Sequence, residues 1–132
     1  MTARVLVNID VPELIPAIDF YEAAIGARFN RFLDDDVAEL EYGPSVLYLL
    51  RKSAGSRPTP LGAQARDFAR HWTPVHVDFV VADLDEAVAR AANAGATRES
   101  ECIEWRGSKC VTFSDPFGHG FCLIEFAGDR YE

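Results

Sequence analysis

His76 and Asp78, two residues apart in the run His76-Val-Asp-Phe-Val-Val81, carry the strongest chemical signal in the chain. In an extended strand alternate residues share a face, so this imidazole and carboxylate stand side by side, their Cα atoms roughly 6.5–7 Å apart. Such a pair can move a proton, hold a cationic group, or anchor a ligand by hydrogen bonds. The plain alternatives are a structural histidine bonded inside the fold and an aspartate serving a neighbouring arginine or amide. His71 and Trp72 lie nearby and can cap a cavity or simply anchor a loop. His119 sits in Gly118-His-Gly120, a turn that is expected to face solvent. It lacks the following helix that a dinucleotide fingerprint requires. The chain contains no Gly-x-Ser-x-Gly, no His-Glu-x-x-His and no phosphate-cradling Gly-Lys-Ser/Thr.

The elements that must position these groups come in two copies. Leu6-Val-Asn-Ile-Asp-Val-Pro-Glu-Leu-Ile-Pro-Ala17 lies over His76-Val-Asp-Phe-Val-Val-Ala-Asp-Leu-Asp-Glu-Ala87 without a gap. Each copy begins as an alternating strand, passes an acidic residue, and enters an amphipathic helical pattern. Each helix closes on Gly-Ala, at Gly26-Ala27 and Gly95-Ala96, where glycine can take the left-handed conformation. Asp83-x-x-Glu86 reads as a capping box, and Pro16 is tolerated only in the first turn of its helix. Three strand-like runs follow each helix: Arg28–Leu33, Val37–Tyr42 and Val46–Arg51, then Thr97–Ile103, Lys109–Ser114 and Phe121–Phe126. Asp34-Asp35-Asp36 is most simply a solvated strand connection. The expected order is βαβββ twice, with residues 1–51 as the first module, 52–74 as a linker, and 75–132 as the second. Within the linker, Arg66–Trp72 has the pattern of a short helix. Val5, Val7, Ile9 and Val11 form one face of the first strand, and Leu6, Asn8 and Asp10 the other. The strand from Val75 divides in the same way, with His76, Asp78 and Val80 opposite its all-apolar face. The apolar faces should receive the helices and the mixed faces should line a binding groove, in which Asn8 is the counterpart of Asp78.

Composition narrows the possible partners. With 13 basic and 21 acidic residues the chain carries a net charge of −8, which disfavours nucleic acid and anionic membrane surfaces. Hydrophobic residues at 48% and charged residues at 26% are the balance of a globular domain. Cys102, Cys110 and Cys122 are odd in number and form no C-x-x-C pair, so they read as reduced thiols in a cytoplasmic protein. Met1–Val11 shows no signal-peptide pattern. The longest wholly apolar stretch, Val46–Leu50, is far short of the roughly 20 residues that span a bilayer.

The repeated βαβββ plan, the Asp19-Phe20-Tyr21 of the first helix and the Asp115-Pro-Phe-Gly-His-Gly-Phe-Cys-Leu-Ile-Glu125 ending resemble the vicinal oxygen chelate superfamily. This is the glyoxalase, bleomycin-resistance and extradiol dioxygenase group. The resemblance covers nearly the whole chain, least of all the linker. It implies an α+β fold of two modules with curved, cupped mixed sheets, a small-molecule ligand in the groove, and a homodimer. Members with chemistry hold a divalent metal through inward positions on the first and last strands of each module. Carried over one at a time, those positions fall on Leu6, Tyr48, His76 and Cys122. Only His76 keeps an ordinary ligand, and the two-residue period puts Glu125 on the face opposite Cys122. Cys122 reads as a small buried hydrophobe rather than a reactive thiol, and Tyr48 as an aromatic wall or an ordinary core tyrosine. The expectation is a binding protein with no resident metal or other cofactor. Its ligand contacts are His76, Asp78, Tyr48, Cys122, Leu6 and Asn8, and any catalysis falls to His76 and Asp78. The alternative is a metal-dependent lyase, isomerase or dioxygenase with an atypical ligand set, in which His76 and Cys122 are the metal ligands.

Overall fold

A computed structural model describes residues 2–132, and the chain divides into two compact units after Phe68. The first holds β1 (Val7–Val11), α1 (Leu14–Ile25), β2 (Arg28–Asp34), β3 (Val37–Tyr42) and β4 (Ser45–Arg51). Its mixed sheet has the order β1-β4-β3-β2, with β1 parallel to β4 and the other pairs antiparallel. The second unit holds β5 (Val77–Val80), α2 (Leu84–Asn93), β6 (Thr97–Arg98), β7 (Ile103–Trp105), β8 (Ser108–Ser114) and β9 (Gly120–Phe126). Its sheet runs β5-β9-β8-β6, with β7 also paired to β8 and β5 parallel to β9. Both sheets are open, and the fold is α+β.

The gapless repeat holds in three dimensions. Glu13 and Asp83 are the N-cap residues, Leu14 and Leu84 open the two helices, and Ala17 and Ala87 are both fully buried. Only the shorter Asp83 carboxylate reaches its helix, accepting from the Glu86 amide at 3.1 Å. Gly26 ends α1 at φ 77°, and Gly95 follows the Ala94 cap of α2 at φ 104°. In each unit the helix packs on one face of the sheet. Leu40, Leu47 and Leu49 meet α1, while Val111, Phe113, Phe121 and Leu123 meet α2. Phe121 stacks on Phe113 at 5.9 Å and meets Phe79 edge-on at 5.7 Å. Burying each such side chain contributes about 1.5–3 kcal/mol, so a one-residue slip of register would cost far more than any one ladder hydrogen bond. Register is therefore what fixes which side chains share the helix-free faces.

Three local expectations are corrected. The run Thr97–Ile103 is not one strand. It breaks between β6 and β7 because the Ser100 hydroxyl, rather than a backbone carbonyl, takes the Thr112 amide at 2.9 Å. Arg66–Trp72 forms no helix. Its backbone bonds outward instead, from Arg66 to Ser56 and from His71 to Gly118, while the Arg66 guanidinium pairs with Asp10 at 2.7 Å. The strand expected from Val75 starts at Val77, so His76, like Leu6 before β1, stands just ahead of its strand. The Asp34–Asp36 connection is an exposed turn, closed by the Asp36 amide on the Asp34 carboxylate and tied down by Arg51.

Candidate functional site

Ladder register assembles the second unit's helix-free face. Asp78 lies directly across from Cys122, and Cys122 in turn from Thr112 on β8. Cys110 is two residues before Thr112 on the same strand and therefore on the same face. The His76 ring comes back over this face and places Nε2 3.1 Å from Asp78 Oδ1, with both side chains about one-third exposed. One donor atom each from His76, Asp78 and Cys122 lies within 4.8 Å of the other two. Thr112 Oγ1 sits 3.4 Å from Cys122 Sγ. His76, Asp78 and Cys122 thus converge, with Cys110 diagonally beside Cys122 on the same face.

Burial governs the two thiols. It pushes the Cys110 thiol up to about 12, with the Cys122 sulfur adding to the shift. Burial also raises Cys122, and the Asp78 carboxylate reinforces this while Thr112 opposes it. Both are protonated thiols at neutral pH, not nucleophilic thiolates. Tyr131, in the C-terminal segment, packs against Trp105 and Phe126, and its hydroxyl is raised by burial and then by Asp78, Cys110 and Cys122. An imidazole bonded to a carboxylate through one nitrogen keeps the other for a ligand or a proton.

A strap formed by residues 69–76 covers one side. Trp72 packs on the His76 ring at 4.8 Å, and the Arg70 guanidinium lies over the indole at 5.5 Å. Arg70 is held in turn by Glu99 at 2.5 and 2.6 Å. Gly120 makes room for the indole: a Cβ there would lie 2.3 Å from two Trp72 ring carbons. His119 is not the solvent-facing turn residue expected. It is half-buried, with its ring 6.0 Å from His71, because Asp115 draws the turn inward by accepting from the Phe117 and His119 amides. Glu125 lies on the helix side, where its carboxylate accepts from the Leu84 amide at the start of α2.

The remaining expected contacts belong to the first unit. Asn8 is paired in register with Tyr48, and Leu6 stands two residues earlier, just ahead of β1. The Tyr48 hydroxyl is already committed, donating to Glu39 at 2.9 Å. Glu39 was not singled out by the sequence, yet it anchors a network. It is 7% exposed and accepts from Asn30 at 2.6 Å and Arg31 at 3.0 Å as well as from Tyr48. Arg31 first, then Asn30 and Tyr48, hold its carboxyl down to about 2. The signal that could have revealed it is its place directly across from Tyr48 in the β3–β4 ladder.

The metal set implied by the superfamily does not fit these residues. Leu6 offers no donor atom, and Tyr48 spends its hydroxyl on Glu39. Two of the four positions are thereby lost, and no step is assigned to a metal held in that way.

A sequence model of the glyoxalase-like domain matches residues 6–124. The chain is 31% identical over 136 residues to an uncharacterized protein of Mycobacterium bovis, covering 86% of this chain and 76% of that one. Among solved structures, the genomically encoded fosfomycin resistance protein FosX of Listeria monocytogenes superposes with a TM-score of 0.71 at 16% identity, covering 95% of this chain and 93% of that one. A glyoxalase/bleomycin resistance protein/dioxygenase family enzyme of Burkholderia phytofirmans gives 0.65 at 17% identity, covering 92% and 96%. The chain belongs to the glyoxalase-like family of the vicinal oxygen chelate superfamily.

Proposed function

We propose that this protein is a glyoxalase- and bleomycin-resistance-like binding protein. It takes a small organic molecule on the helix-free face of the second unit, without a catalytic metal. The observation that carries this reading is the His76–Asp78 pair, bonded at 3.1 Å and one-third exposed beside apolar surface. Val80, 53% exposed, extends the same strand face, and Trp72 flanks His76. A few convergent polar groups in an apolar surround are the usual make-up of a small-molecule site. The ligand that suits it has a flat or apolar body and one hydrogen-bonding end directed at His76. Fragments of that form are the probe, with affinities read by ligand-observed NMR. His76→Ala is expected to weaken binding at least about tenfold, roughly 1.4 kcal/mol, with little change in His119→Ala. Equal affinity for wild type and His76→Ala would sink the reading.

Two properties go with it. Three free cysteines suit a reducing cytoplasm, and among the described residues no helix is long and apolar enough to cross a membrane. The functional unit is a homodimer, supported by β2, a long and mostly exposed strand at the edge of the first sheet. Light scattering at tens of micromolar is expected to give twice the chain mass; a monomer refutes the pairing.

A further inference from the structure

We propose that the second unit by itself is a site for one thiophilic divalent cation of the zinc class, held by His76, Asp78, Cys122 and Cys110. This does not rest on the organic-ligand reading, and it differs from the two-module set that Leu6 and Tyr48 defeat. All four donors lie within one compact unit.

Geometry carries it. Zinc bonds of about 2.0–2.3 Å place tetrahedral donors roughly 3.3–3.8 Å apart. His76 Nε2 and Asp78 Oδ1 are already 3.1 Å apart, and the widest separation among His76, Asp78 and Cys122 is within 4.8 Å. Closing that gap takes a shift of about 1 Å, which a side-chain rotation supplies. Cys110 lies diagonally across the β8–β9 ladder from Cys122 and on the same face, so a rotation of its side chain brings in the fourth donor. The Asp78–Cys122 and Thr112–Cys122 register pairs hold the three strands so that these side chains converge. Thr112 Oγ1, 3.4 Å from Cys122 Sγ, is placed to donate to a metal-bound thiolate, the outer contact such ligands ordinarily have.

The donor chemistry selects the ion. Two sulfurs and an imidazole favour zinc or cadmium over magnesium, calcium or manganese. On binding, the Cys110 and Cys122 thiols become thiolates and their two protons pass to solvent. Four protein donors leave no open position, so the ion is structural or occluding rather than catalytic. It also occupies His76 and Asp78, which makes it a competitor of any organic ligand on this face.

The test titrates reduced, metal-free full-length protein with cadmium for thiolate-to-metal absorption in the near ultraviolet, and with zinc by calorimetry. Expected are one equivalent of either ion, an absorption roughly halved in Cys110→Ser, and zinc affinity at least tenfold weaker in His76→Gln and Asp78→Asn. Those two side chains are partly exposed, so their variants should fold, as far-ultraviolet circular dichroism would verify. Cys102→Ser should bind as wild type, and magnesium should not compete. Absence of a saturable absorption overturns the proposal. So does unchanged zinc affinity in both His76→Gln and Asp78→Asn, or loss of binding in Cys102→Ser.

Discussion

Gly120→Ala probes whether the Trp72 strap is seated on His76. The added methyl would sit 2.3 Å from Trp72 Cε3 and Cζ3, and 3.0 Å from an Arg70 guanidinium nitrogen. Ordinary contact begins at 3.4 Å, so the indole must retreat by 1.1 Å or more, the difference between 3.4 and 2.3. It can do so, because Trp72 is 49% exposed and Gly120 has no left-handed backbone that alanine would strain. The Trp72–His76 contact is worth about 0.5–1.5 kcal/mol and the Arg70–indole contact about 0.5–1 kcal/mol at an exposed site. Replacing glycine offsets about 0.4–1 kcal/mol of this through the unfolded chain. The net cost is therefore small, under about 2 kcal/mol, while the local change is large. Urea unfolding should show a slight loss of stability. NMR should show the His76 ring protons moving toward their positions in Trp72→Ala as the indole's ring current is withdrawn. If Gly120→Ala leaves those resonances at their wild-type positions, the strap does not pack as described. A loss of several kcal/mol would show equally that Gly120 faces something less yielding than an exposed indole.

Two further outcomes follow from the ionisable groups. Glu39, held near 2 against a usual 4.5, stabilises the fold above the unfolded-state value and loses that contribution as pH falls through about 2. Glu39→Gln should therefore be less stable than wild type at neutral pH, with the gap in urea midpoint closing between about pH 4.5 and 2; a gap independent of pH across that window contradicts the network. Among the thiols, exposed Cys102 should alkylate first at neutral pH, well ahead of buried Cys122 and of Cys110, whose thiol is pushed to about 12. Mass spectrometry of partially modified protein checks the order, and Cys110 reacting as fast as Cys102 would contradict it.

The fold was legible because its signals are local and doubled. Leu14 with Leu84, Ala17 with Ala87 and Gly26 with Gly95 mark the same points of two modules, and strand alternation separated His76 and Asp78 from Val77 and Phe79. What escaped depended on which strands become neighbours. The run Val37–Tyr42 alternates so that Glu39 and Glu41 look equivalent, yet Glu39 is buried among three donors while Glu41 pairs with Arg28 at the surface. Cys110 escaped for the same reason, since only the β8–β9 register sets it diagonally beside Cys122. A lone hydroxyl, Ser100, was enough to interrupt a strand that propensity alone would have run through.

Register also shows why the two units, built on one plan, are not chemically equivalent. The ladder neighbours Asn8, Tyr48 and Glu39 in the first correspond to Asp78, Cys122 and Thr112 in the second. In the first, three donors converge on the Glu39 carboxylate, which is an arrangement that rigidifies a sheet. In the second, Thr112 takes the place of that carboxylate and the acid moves to the first strand as Asp78, beside His76. Cys122 replaces the tyrosine, and its small, polarizable sulfur can change partners where the Tyr48 hydroxyl cannot. Leu6 stands where the second unit has His76, so the first unit has no imidazole at that position. The first unit's polar groups therefore close on the buried Glu39, whereas the second unit's His76–Asp78 pair stays one-third exposed.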